Sequence, residues 1–144
     1  MISFDLDVTI NCPVEAAFAF AHDPATFPQW QPAVVESRQT SPGPMGVGAT
    51  GVNVRKVMGQ RVESTFEITS YTQNQVLVVK STSGPVAYEI TYSFQPVDGG
   101  TRLLLHFQGE PQGIFKAAER VLAPTIKKDF DEDYQRLKAL LESC

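Results

Sequence analysis

The chain has 144 residues, with 12 Lys and Arg against 16 Asp and Glu for a formal charge of -4. That length suffices for one domain with its own core, so positions 1–144 read as a single domain. The charge balance excludes the cationic face that nucleic acid requires, and no stretch reaches the ~18 uninterrupted apolar residues of a membrane span, so stable membrane insertion is excluded as well.

The segment ISFDLDVTI alternates strictly, with Ile2, Phe4, Leu6, Val8 and Ile10 on one side and Ser3, Asp5, Asp7 and Thr9 on the other. This predicts a strand with one buried face. The period then changes. In NCPVEAAFAFAHD, Asn11 or Cys12 can cap a helix, Pro13 suits its first turn, and Val14, Ala17, Phe18 and Ala21 form one stripe. In HDPATFPQWQP, Asp23 can cap a second, very short helix starting at Pro24, which Pro28 and Pro32 prevent from running on. Phe27 and Trp30 are thereby held on a corner with little backbone freedom.

From Ala33 to Glu110 the pattern predicts six strands, separated by SPGPMGVG, Gly59, Gln73-Asn74, Ser83-Gly84-Pro85 and Asp98-Gly99-Gly100. In RVESTFEITSY, Val62, Phe66 and Ile68 share a face. In VAYEITYSF the shared set is Val86, Tyr88, Ile90, Tyr92 and Phe94, and TRLLLHF adds Leu103, Leu105 and Phe107. Short connections favour antiparallel pairing. After Glu110 one long amphipathic helix is expected, striped by Ile114, Phe115, Ala118, Val121, Leu122, Ile126, Phe130, Tyr134, Leu137 and Leu141, with a kink at Pro124. The fold class is α+β: a seven-stranded antiparallel sheet curved around the C-terminal helix, with two short helices between the first two strands.

This element order, the run VTINCPVEAAFAFAHDPATFPQWQP, the Gly46-Val47-Gly48 turn and the aromatic strand from Tyr88 to Phe94 resemble the START-like superfamily, or helix-grip fold, in its polyketide cyclase/dehydrase and lipid-transport branch. The resemblance covers nearly the whole chain. It implies a deep, mostly apolar cavity between sheet and long helix, a small hydrophobic ligand, and a place for the Trp30 corner at the open edge of the grip. Members bind lipids, sterols, polyketides and hormones, and only some are enzymes, so the fold leaves activity open.

Chemistry-bearing motifs are sparse. The sequence lacks Ser-His-Asp spacing, HExxH, CxxC, GxGxxG after a strand and GxxxxGK[ST]. Cys12 and Cys144 lie near opposite ends without metal or redox spacing, so neither a metal nor a cofactor is implied. The N-terminus has no basic start and its apolar run is broken by Asp5 and Asp7, so the reading is cytoplasmic. His22 reads as a solvated or capping residue, His106 as outward-facing, and Glu110 and Arg120 as rim charges. Tyr88 and Tyr92 face inward and either anchor a polar ligand group or fill the core, with Asn53 and Ser64 as further polar contacts. Trp30, Phe66, Phe107 and Phe115 complete the candidate ligand-binding set. Two other classes stay open: a cyclase/dehydrase-type enzyme acting on a polyketide-like substrate, and a co-chaperone or other protein-interaction role that would use an exposed apolar patch.

Overall fold

The computed structural model describes residues 1–57 and 59–143. β1 (Ile2–Ile10) is followed by α1 (Val14–Ala21), a 3-10 turn (Pro24–Thr26) and the four-residue α2 (Phe27–Trp30). Six strands come next: β2 (Val34–Gln39), β3 (Thr50–Val57), β4 (Gln60–Thr72), β5 (Val76–Ser83), β6 (Val86–Val97) and β7 (Gly100–Pro111). A second 3-10 segment (Gly113–Ala118) leads into α3 (Glu119–Leu141). The seven strands form one antiparallel sheet in the order β1-β7-β6-β5-β4-β3-β2, so β2 to β7 is a continuous meander that β1 closes by pairing with β7. The antiparallel helix-grip arrangement expected from the sequence is the observed one.

Local chemistry explains the elements. The Asp23 carboxylate accepts from the Ala25 N–H at 3.0 Å, capping the 3-10 turn where Pro24 needs no donor. Irregular register in β4, between Thr65 and Phe66 and between Ile68 and Ser70, bends the sheet at its middle. Gly51 on β3 stands opposite Phe66, and a Cβ there would lie 2.3 Å from the Phe66 ring. Its missing side chain is what lets that ring lie flat along the inner face.

Inward side chains of β1, β6 and β7 pack with α1 and the last turns of α3: Ile10, Ala17, Leu103, Leu105 and Leu137 are essentially sealed from solvent. Thr101 Oγ1, also buried, donates to the Cys12 carbonyl at 2.8 Å and fixes the exit of β1. α3 therefore has two halves. Its C-terminal part, with Leu137 and Leu141, lies over filled core, while Leu122, Ile126 and Phe130 lie over open space.

Three expectations need correction. Neither Asn11 nor Cys12 caps α1 with its side chain; Pro13 holds the N-cap position, because the Cys12 N–H closes a turn onto Ile10. The long helix begins at Glu119 rather than near Ile114, since Gly113 (φ +58°) opens a 3-10 segment with three residues per turn. Ile114 and Val121 consequently leave the buried stripe and are 86% and 59% exposed, with Phe115 and Leu122 taking the inward positions. Pro124 sits inside α3 on an exposed position. Cys144 lies outside the described residues.

Candidate functional site

Alternation decides which strand residues reach the open space. On β3 the residues Asn53, Arg55 and Val57 point inward, on β4 Val62, Ser64, Phe66 and Ile68, and on β6 Val86, Tyr88, Ile90 and Tyr92. Facing them are the corner of α1 and α2 and the N-terminal half of α3. Together they enclose a cavity of about 230 Å³. All six residues proposed from the sequence, Trp30, Phe66, Tyr88, Tyr92, Phe107 and Phe115, lie on its wall.

The aromatic lining is built as a connected set. Trp30 is 1% exposed and meets Phe27 and Tyr134 edge-on, with centroids 5.8 and 5.0 Å apart. Phe107 stacks on Phe4 at 4.8 Å and meets Phe130 edge-on at 5.2 Å. Such ring pairs add to simple burial and hold the wall in one arrangement.

The polar groups cluster toward β3 and α3. Arg55 Nη2 donates to Gln31 Oε1 at 2.6 Å and stands 3.7 Å from Asp133 Oδ2, while Asp133 Oδ1 accepts from Arg136 Nη1 at 3.0 Å. Burial drives the Asp133 carboxyl up to about 6, against the opposite pull of Arg55 and Arg136. The Tyr134 hydroxyl donates to Tyr92 Oη at 3.1 Å. Burial raises both of these phenols and pushes Tyr88 up to about 12, so all three stay neutral hydrogen-bonding groups at ordinary pH. Four buried polar atoms on this wall have no partner among the described residues: Arg55 Nε, Asn53 Oδ1, Trp30 Nε1 and His22 Nε2.

His22 departs from its sequence reading. It stands at the C-cap of α1, but its ring is not solvated; it faces the cavity edge-on to Phe18, Tyr92 and Phe94, at 4.8, 5.1 and 5.2 Å. Desolvation drops its pKa to about 3, which keeps it neutral. His106 is outward as expected, with Nδ1 2.6 Å from Asp5 Oδ1 on the far side of the sheet. Glu110 and Arg120 lie off the cavity wall, Glu110 standing 3.6 Å from the terminal amine. Sequence reasoning missed Arg55, Asp133 and Tyr134. A signal existed for the first: Arg55 follows Asn53 by two, so any register that turns Asn53 inward turns Arg55 inward too.

His22 and Asp133 give opposite pH dependences. The neutral imidazole contributes stability that is full above its unfolded value of 6.5 and is lost as pH falls toward its folded value of about 3. Asp133 contributes stability that is full below 3.8 and is lost as pH rises through about 6. Between roughly pH 4 and 6 the two slopes, each up to about 1.4 kcal/mol per pH unit, cancel. Asp7, lowered by its bond from Arg102, acts below that window, and Glu142, lowered by the Asn11 N–H, acts from its ordinary value of 4.5 downward. Urea melts across it should show Asp133→Asn losing stability on acidification and His22→Gln gaining it. A pH-independent Asp133→Asn would contradict the assignment.

A second expected result concerns the phenols. Tyr88→Phe keeps the packing volume and should fold with nearly unchanged stability, whereas Tyr92→Phe removes the acceptor of the buried Tyr134 hydroxyl and should cost about 1 to 3 kcal/mol. At least one of the two should weaken a polar-headed ligand by about 0.5 to 1.5 kcal/mol in calorimetric titration. Unchanged affinity in both would make the hydroxyls core filler.

Comparison with known proteins agrees with this architecture. An uncharacterized protein of Mycobacterium tuberculosis (strain ATCC 25618 / H37Rv) is 25% identical over 104 residues, covering 72% of this chain and 73% of that protein. Among solved structures, a START superfamily protein from Mycobacterium smegmatis superposes with a TM-score of 0.84 at 14% identity, over 99% of both chains. The di-domain ARO/CYC StfQ from the steffimycin biosynthetic pathway does so with a TM-score of 0.78 at 12% identity, over 99% of this chain and 51% of that one. At these identities the structures share the fold alone. The family model described as polyketide cyclase / dehydrase and lipid transport matches residues 1–142, and the chain belongs to that family.

Proposed function

We propose that residues 1–144 work as one START-like unit that binds a small hydrophobic or aromatic molecule in the cavity between the sheet and α3. Trp30, Phe66, Phe107 and Phe115 supply apolar contact, and Tyr88 and Tyr92 orient a polar group. The observation that carries this reading is the pairing of an aromatic-lined space of about 230 Å³ with a few polar side chains on its wall, Tyr88, Tyr92 and the Arg55–Asp133 pair. A mostly apolar, aromatic wall with a small number of polar groups is the usual make-up of a small-molecule site. The family description, which includes lipid transport, points the same way. The acidic balance argues against nucleic acid as a partner, and two distant cysteines fit a cytoplasmic setting.

A second reading, a cyclase/dehydrase-type enzyme, is favoured by one feature. Asp133, pushed up to about 6 beside Arg55, can exchange a proton near neutral pH within reach of a bound molecule. Native mass spectrometry of the purified protein tests both. The binding reading expects a co-purified or added apolar molecule retained at one per chain with unchanged mass. The enzyme reading expects release of a molecule lighter by one water. A chain that retains nothing from a panel of fatty acids, sterols and polycyclic phenols contradicts the first.

A further inference from the structure

The segment from Gly113 to Pro124 forms one wall of the cavity, yet its outer side is not what a solvated wall needs. Phe115 and Leu122 point into the cavity. On the opposite side Ile114, Ala117, Val121 and Pro124 are all exposed, at spacings of three and four that place them along one line. Ile114, at 86%, is the most exposed large apolar side chain of the chain's described residues. None of the six residues of the 3-10 segment is buried.

Charge is distributed to match. Lys116 and Arg120, four residues apart, flank the apolar line and have no ion-pair partner among the described residues. The nearby acid on this segment, Glu119, is engaged by the Met1 amine at 3.1 Å. A chain of net charge -4 thus presents, on the wall of its cavity, a strip of exposed apolar side chains bordered by two cations that have no ion-pair partner among the described residues. Apolar side chains flanked by Lys or Arg are the composition of a segment that lies on an anionic lipid surface, with the apolar groups at the headgroup boundary and the cations against the lipid charge.

We propose that this outer face docks reversibly on anionic bilayers, setting the cavity wall against the membrane. It lies on the surface and does not span: no helix among the described residues is long and apolar enough to cross a membrane. The proposal goes beyond the ligand-binding reading and can fail separately from it, because docking is measured on the protein without added ligand.

The test is co-sedimentation of the full chain with vesicles of phosphatidylcholine alone and of an equal mixture of phosphatidylcholine and phosphatidylglycerol. Binding is expected to the mixed vesicles only, and to fall steeply as salt shortens the screening length. Each cation near such a surface strengthens partitioning about fivefold, so Lys116→Gln/Arg120→Gln should weaken it roughly 10- to 30-fold. Ile114→Ser/Val121→Ser should weaken it comparably. Both pairs are exposed, and circular dichroism should show them folded. Arg38→Gln/Lys80→Gln removes the same charge from the outer face of the sheet and should leave docking intact. Failure to bind the mixed vesicles, equal binding to both kinds, or loss in the sheet variant as large as in the Lys116/Arg120 variant would each overturn the proposal. A face that instead serves an acidic protein partner gives the first of these results.

Discussion

Trp30→Ala is expected to destabilise the fold by about 3 to 5 kcal/mol, the range for deleting a large buried aromatic. The indole is 1% exposed and is held from two sides, by Phe27 on its own corner and by Tyr134 on α3. It joins the corner to the long helix through Tyr134, so its removal opens the cavity wall and loosens the corner together. Trp30→Phe should cost far less, about 1 to 2 kcal/mol, for two reasons. A phenyl ring keeps much of the contact, and it removes a buried N–H that has no partner. Denaturant melts check both. A loss below about 1 kcal/mol for Trp30→Ala would mean that the corner is a proline clamp whose indole adds little.

Leu137→Ala is expected to cost about 2 to 5 kcal/mol, toward the upper end if the surrounding core does not collapse. Leu137 is 0% exposed and belongs to the cluster that joins β1, β7, α1 and α3. The informative comparison is Ile114→Ala, which the amphipathic stripe of the sequence ranks alongside it. The structure exposes Ile114 almost fully, so its replacement should change stability by less than about 0.5 kcal/mol. Equal losses at the two positions would restore the continuous helix that the sequence pattern suggests.

These residues also show where sequence reasoning succeeds and where it stops. Strands with strict alternation, such as β1 and β6, were legible because a two-residue period admits only one assignment of faces. The proline corner was legible because Asp23 and Pro24 specify a helix start chemically. The beginning of α3 was not, because a 3-10 segment rotates the helical phase and moves Ile114 and Val121 off the stripe. Of the six proposed site residues, Phe66, Tyr88, Tyr92 and Phe107 reach the cavity wall through strand alternation, Trp30 through the corner, and Phe115 from the 3-10 segment before α3. The polar end did not emerge, since no motif in the sequence singles out Asp133, and Arg55 is marked only by sharing the face of Asn53. Only the tertiary fold, which sets α3 over the inner face of the sheet, brings the two side chains within 3.7 Å. His22 was misplaced for a similar reason: its position next to a cap says nothing about the three aromatic rings that the sheet delivers around it.

The central claim is that a small apolar molecule enters the space between sheet and helix. The most direct measurement is a titration with anilinonaphthalene sulfonate that follows both the probe and Trp30, the chain's only tryptophan, in the wild type and in Val79→Trp/Trp30→Phe. Val79 lines the cavity, and an indole in its place fills much of the space. The wild type should bind the probe saturably, at one site per chain, with tryptophan emission changing in step. The filled variant should remain folded and lose that site, while Trp30→Phe alone retains it. Saturable binding that survives in the filled variant, or wild-type binding that leaves Trp30 emission unchanged, would place the ligand elsewhere and contradict the account.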